Sequence, residues 1–238
     1  MFDIDKINKL PPEQQKELLD LLSQYESAKR QEDCSDNFLS FVKEMWAAFI
    51  EGYHHKIMSD AFNDVKNGRL KRLIINMPPR HTKSEFASYL LPAWFLGCFP
   101  EKKIIQVAHT AELAVGFGRK VRNLVGSADF KKVFKDVGLQ SDSKAAGRWN
   151  TNKGGEYFAI GVGGAVTGKG ADLLIIDDPH SEQEGQSNDP SVFDKVYEYY
   201  TSGPRQRLQP GGAIIIVMTR WHKRDLTGQI LKSSAQRD

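Results

Sequence analysis

The sequence predicts an α/β fold: a mostly parallel central sheet flanked by helices, with a short helical region ahead of it. Two observations carry this. Five short apolar runs recur along the chain at the length of buried strands. Helical patterns lie between several of them, and continuous apolar strands separated by helices mark a parallel sheet covered on both faces.

Residues 11 to 33 open with Pro11 and Pro12, which suit a first helical turn, and Leu18, Leu19, Leu21, Leu22 and Tyr25 supply an apolar face. Residues 37 to 51 place Phe38, Phe41, Val42, Met45, Trp46 and Phe49 at helical spacing. A third helix is expected from about His55 to Lys66, stopped by Asn67-Gly68. These define a helical region, 1–66, ahead of a core, 67–238. In the core, strands are expected at Leu70 to Met77, Lys103 to Ala108, Tyr157 to Val162, Asp172 to Asp177 and Ala213 to Thr219. Helices are expected at Ser84 to Phe95, Ala111 to Val125, Ser191 to Ser202 and Asp225 to Leu231.

Composition excludes several classes. The chain has 238 residues, 40% of them apolar, and a mean hydropathy of -0.47. That argues against a disordered tail, a collagen and a membrane protein. The longest apolar stretch, Tyr89 to Phe99, is broken by Pro92 and Gly97 and falls short of the about 20 residues a bilayer span needs. Met1 to Leu10 has no signal-peptide core. Cys34 and Cys98 lack metal-ligand spacing; a disulfide between them stays open, but two isolated cysteines point to a reducing compartment, so the expected location is cytoplasmic.

The net charge of +3 hides an asymmetry. Arg119, Lys120, Arg122, Lys131, Lys132 and Lys135 crowd into one segment beside a single acid, Asp129. Such a cluster suits a phosphate backbone, or equally a solvated helix face.

In parallel sheets, ligands sit beyond the carboxyl ends of the strands. After the first strand comes Met77-Pro78-Pro79-Arg80-His81-Thr82-Lys83-Ser84. A phosphate loop needs backbone amides facing the ligand, then Lys-Ser or Lys-Thr at a helix start. Lys83-Ser84 has that place, although Met77 and Thr82 stand where the standard pattern has glycines. Leu173 to Ile176 delivers Asp177 and Asp178 to another strand end, where one acid can hold Mg²⁺ and the second can polarise water. The last strand ends in Thr219-Arg220-Trp221-His222. A hydroxyl at Thr219 could sense a γ-phosphate, and Arg220 could carry the change outward. Taken singly, each of these has a plain structural reading as a basic loop, a turn or a helix cap. Together they favour an NTPase.

The segment Met77 to Ser84 resembles the deviant Walker A of phage terminase large subunits, whose common form is Pro-Pro-Arg-His-Gly-Lys-Ser. The resemblance continues in order through Arg148-Trp149-Asn150-Thr151, Gly154-Gly155, Gly161 to Asp172, Ile175 to Pro179 and Thr219 to His222. It covers roughly residues 40 to 232. It implies an ASCE-type P-loop ATPase using ATP and Mg²⁺, the motor that moves double-stranded DNA into a procapsid. It places Pro79, Arg80, His81, Thr82, Lys83, Ser84 and Glu85 at the nucleotide, and Ser84 and Asp177 at the metal. The catalytic set it implies is Asp178, Lys83, Arg80 and Lys169, with Thr219 and Arg220 coupling hydrolysis to movement. Lys169 stands where many relatives have an arginine, a candidate finger acting on a neighbouring subunit; Arg119, Arg122 and Arg148 are the reserves. Tyr53-His54-His55 precedes the first strand, where related motors contact the base. The implied partners are double-stranded DNA, a portal protein, a small terminase subunit and further copies in a ring.

Full chains of that family continue into a nuclease domain, which is not expected here because the sequence ends at Asp238. A helicase-like ATPase, a P-loop kinase and a non-hydrolysing binding module were the alternatives. The first would need a second RecA-like lobe, for which the sequence has no room, and the second an acceptor-binding lid, which no segment of it resembles. The third would read Thr82 as decay, against which Lys83, Ser84, Asp177 and Asp178 are all present.

Overall fold

A computed structural model describes residues 11–143, 145–187 and 189–236. The segment 1–10, read above for a signal core, lies outside them. Helix α1 (Pro12–Asp36) ends where Asn37 caps α2 (Phe38–Met45), its side chain accepting from the Ser40 N–H. Helix α3 (Tyr53–Lys66) leads into strand β1 (Arg72–Asn76). A wide π turn (Glu85–Leu90) continues as α4 (Leu91–Cys98), then β2 (Lys103–Ala108), α5 (Ala111–Val125) and α6 (Ala128–Val133). Next come β3 (Arg148–Asn150), β4 (Glu156–Gly161), β5 (Ala171–Asp177), α7 (Glu182–Gly185) and α8 (Ser191–Ser202). A 3₁₀ turn (Pro204–Arg207) precedes β6 (Leu208–Met218) and α9 (Leu226–Ala235).

The six strands form one sheet in the order β1-β6-β5-β2-β4-β3. All pairs are parallel except the β3–β4 pair at the edge. Because side chains alternate along a strand, neighbouring residues feed opposite cores. Leu173 and Ile175 join one core with α2, α3, α4 and α5; Leu174 and Ile176 join the other with α8 and α9. The fold class expected from the sequence is the one observed.

Several elements differ from expectation. The second helix stops at Met45, and the chain then turns through Trp46, whose carbonyl accepts from the Phe49 N–H. The turn brings Phe49 onto His55 and Phe86, at ring separations of 4.8 and 5.5 Å, which a continuous helix could not do. On α1 the expected apolar face is not buried: Leu19, Leu21 and Tyr25 are exposed, and Cys34 is the buried residue of the helix. The expected helix at Ser84 to Phe95 divides into the π turn and α4. Strand β3 and helix α6 were not foreseen as elements.

The motifs Arg148 to Thr151 and Gly154-Gly155 serve the architecture. Trp149 is fully buried, stacks on Tyr157 at 5.1 Å and donates to the Gly118 carbonyl. The Gly155 N–H donates to Thr151 Oγ1, and a Cβ on Gly155 would meet the Pro100 carbonyl at 2.4 Å. Cys34 and Cys98 are free thiols, and burial pushes them up to about 11 and about 12. Among the described residues, no helix is long and apolar enough to cross a membrane.

Candidate active site

The loop after β1 and the ends of β5 and β6 meet at the carboxyl edge of the sheet. Strand β6 lies between β1 and β5, so the strands bearing Lys83-Ser84 and Asp177-Asp178 are separated by the one bearing Thr219. Parallel pairing fixes the register: Asn76 faces Met218, and Asp177 faces Val217. Residues far apart in sequence are thereby set side by side.

Ser84 Oγ donates to Asp177 Oδ1 at 3.0 Å. Asp177 is buried, and its Oδ2 has no hydrogen-bond partner among the described residues. Burial, foremost, pushes the Asp177 carboxyl up to about 7, opposed by hydrogen bonds from Ser88 and Ser84. Ser84 stands just ahead of the π turn and Ser88 within it, and Ser88 accepts from Gln106 at 3.1 Å. A buried carboxylate with an unpartnered oxygen, beside a serine hydroxyl, fits a divalent cation with oxygen ligands. Among the described residues, no group of three or more His, Cys, Asp or Glu could hold a metal by itself. The remaining ligands of a bound Mg²⁺ would have to be water and phosphate, as is usual for that ion.

Lys83 is buried and pairs with Asp178 Oδ2 at 2.8 Å. The other oxygen of Asp178 accepts from the Thr219 N–H at 2.8 Å, and Thr219 Oγ1 donates to the Met77 carbonyl at 3.3 Å. Thr219 thus touches both the start of the phosphate loop and the second acid. Arg220 donates to Asp225, which is fully buried and caps α9 through the Gly228 N–H. Arg220 is therefore tied to a helix start.

The loop and the residue that follows β5 are strained. Arg80, Thr82 and Asp178 have φ of 63°, 59° and 37°. For a non-glycine residue such a backbone costs on the order of 1–3 kcal/mol, and a β-branched residue is a marked outlier. Thr82 sits in a left-handed turn that glycine adopts freely.

Of the other residues named from the sequence, Pro79, Arg80 and His81 form the exposed loop crest, where His81 Nδ1 lies 2.9 Å from the Pro79 carbonyl. Glu85 follows Ser84 and pairs with Lys120 at 2.8 Å. Lys169 is not in the cluster. It lies two residues before β5, at the opposite edge of the sheet, pairs with Glu156 at 2.6 Å and lies over the Phe158 ring. Arg148 pairs with the same glutamate. Tyr53 is exposed, whereas His55 is buried beneath the loop and bonded to Thr82. Ser88 and Gln106 carried no signal in the sequence, because a buried polar residue inside an apolar stretch shows its partner only in three dimensions; Asp225 was legible as a helix start, but its bond to Arg220 was not.

The fold is a mixed α/β sheet of six strands, mostly parallel and flanked by helices, with β6 inserted between the strand that precedes Lys83-Ser84 and the strand that carries Asp177. No family model matches the sequence, and no curated protein does. Among solved structures, the HK97 bacteriophage large terminase is similar at TM-score 0.51 and 17% identity, over 79% of this chain and 37% of that one. The ATPase domain of the Thermus phage P74-26 large terminase is similar at TM-score 0.43 and 16% identity, over 75% of this chain and 67% of that domain. This chain thus spans little more than a third of the HK97 protein. The terminase resemblance drawn from the sequence recurs in the fold.

Proposed function

We propose that this chain is the ATPase motor domain of a viral terminase large subunit, hydrolysing ATP to drive double-stranded DNA into a procapsid. The observation that carries the reading is the joining of Lys83, Ser84, Asp177, Asp178 and Thr219 at one sheet edge.

In this reading Lys83 exchanges Asp178 for the β- and γ-phosphates of ATP, and the loop amides cradle the chain of phosphates. Ser84 and Asp177 would hold Mg²⁺, which would supply charge neutralisation to the phosphates. Asp178, released from Lys83, accepts a proton from the attacking water. Thr219 registers that release through its N–H bond to Asp178, and Arg220 passes it to the start of α9. The exposed bases of α5, α6 and the turn that follows, among them Arg119, Lys131 and Lys135, suit a DNA backbone without reading sequence. Lys120 and Lys132 are already engaged by Glu85 and Asp129. A portal protein, a small terminase subunit and a homo-oligomeric ring complete the proposed assembly. Lys169 is the first candidate for the cation supplied to a neighbour.

Phosphate release from ATP, measured with and without linear double-stranded DNA, tests the reading. Turnover that needs Mg²⁺ and disappears in Lys83→Ala supports it. Turnover unchanged in that variant sinks it.

A further inference from the structure

Thr82 holds a left-handed turn that its β-branched side chain disfavours. Strain of this kind persists where the surroundings hold it in place. The group that reaches Thr82 is His55, the third residue of α3, and the hydrogen bonds between them run in one direction only. The Gly52 N–H donates to His55 Nδ1 at 2.8 Å. A backbone N–H cannot accept, so Nδ1 is unprotonated and the neutral ring carries its proton on Nε2. Nε2–H donates to Thr82 Oγ1 at 2.6 Å, and the Thr82 hydroxyl donates to the His81 carbonyl at 2.6 Å. A carbonyl cannot donate, so neither end of the relay can be reversed.

The ring is also fixed in space. His55 is 5% exposed, stacked on Phe86 at 4.7 Å and set edge-on to Phe49 at 4.8 Å. Phe86 lies on the π turn that follows the loop, so the histidine is anchored to the element it serves. Glycine at the Thr82 position would need no such support, having neither the steric penalty nor a hydroxyl to hold.

We propose that His55 is a positioning residue that holds the phosphate loop in its left-handed turn through the Thr82 hydroxyl. The threonine and the histidine act as one device, in which Thr82 is tolerable because His55 grips it. The inference rests on the reading of this loop as a nucleotide site, but its geometric content can be tested without nucleotide.

The experiment is a double-substitution cycle on the full chain, with ATP as the probe. His55→Ala should weaken ATP binding about tenfold, the scale of a lost hydrogen bond together with released backbone strain. Thr82→Val keeps the shape and removes the hydroxyl, so it should weaken binding about equally, and it serves if His55→Ala fails to fold. In a Thr82→Gly background, His55→Ala should change affinity by less than about twofold, because nothing is left to hold. Equal loss in both backgrounds would mean that His55 acts on the base or on general packing, and would overturn the proposal, as would full affinity in Thr82→Val. The nucleotide-free protein gives a separate readout. Imidazole ¹⁵N shifts should report a neutral His55 ring protonated at Nε2, and Thr82→Val should speed amide exchange at His81 to Ser84. If the wild type binds no ATP, the nucleotide reading fails, and these two measurements alone decide the positioning role. A ring protonated at Nδ1, or exchange unchanged in Thr82→Val, refutes it.

Discussion

Lys83 and Asp178 meet at 2.8 Å, with the lysine buried and the aspartate partly open to solvent. The two charges are each other's partner while no phosphate is present. In the proposed function, binding of a polyphosphate is an exchange, in which the lysine leaves one anion for another. The carboxylate it abandons is still held by the Thr219 N–H.

Lys83→Ala follows directly from this pair. It should weaken ATP binding and lower turnover by at least about 100-fold, the scale on which one electrostatic contact to a developing charge is worth. Affinity and phosphate release are measured together. Wild-type turnover in this variant would remove the loop from the chemistry.

Asp178→Asn should separate binding from hydrolysis. Asparagine tolerates positive φ, so the 37° backbone is kept, and its carbonyl oxygen can still accept from Thr219. What it loses is the capacity to take a proton from water. The expected result is ATP affinity within about threefold of wild type with turnover abolished. Loss of binding comparable to that of Lys83→Ala would show that the two acids do not divide the work.

Asp177 gives a pH dependence of opposite sign to the usual carboxylate. Its folded pKa is raised from 3.8 to about 7, so between these values the folded state holds a proton that the unfolded state has released. Stability from this group is therefore full below the unfolded value and is lost as pH rises toward and through the folded one. Without metal, Asp177→Asn should melt higher than wild type at pH 8, with the gap closing as pH falls toward 4. It should also lose Mg²⁺-dependent ATP binding. Parallel melting curves of the two proteins across pH provide the comparison, and a gap that does not vary with pH would contradict the origin given for the shift.

Trp149→Ala should cost about 3–5 kcal/mol of stability, as expected for deleting a buried aromatic side chain. The indole is fully buried, stacks on Tyr157 and donates to Gly118. Denaturant unfolding measures the loss. A loss under about 1 kcal/mol would mean that the motif from Arg148 to Thr151 is not the architectural element described here.

A finger role for Lys169 predicts that it acts between chains. In the assembled motor, subunits with Lys169→Ala mixed with subunits carrying Lys83→Ala should recover ATPase activity at interfaces that pair the two intact halves. No recovery in confirmed mixed rings would leave Lys169 with its bond to Glu156 alone.

The sequence by itself determined most of the elements and most of the residues that gather in the candidate site. Runs such as Lys103 to Ala108 and helical patterns such as Ala111 to Val125 were legible because burial on two faces, or on one, imposes a local period. Lys83, Ser84, Asp177, Asp178 and Thr219 were legible because strand ends in a parallel sheet face a common edge. What only the tertiary structure decided is which of these residues touch. Nothing local places Thr219 against both Met77 and Asp178; the insertion of β6 between β1 and β5 does. The departure at Thr82 was visible in the sequence, but its remedy was not. His55 stands 27 residues earlier on a helix, and only packing of α3 under the loop brings its ring to the threonine. Lys169 shows the converse: its motif position precedes a strand whose other end carries the acids, so seven residues of β5 put it at the opposite edge. Local pattern follows from burial and backbone geometry within a few residues, whereas contacts between strand ends depend on strand order, which no short segment encodes.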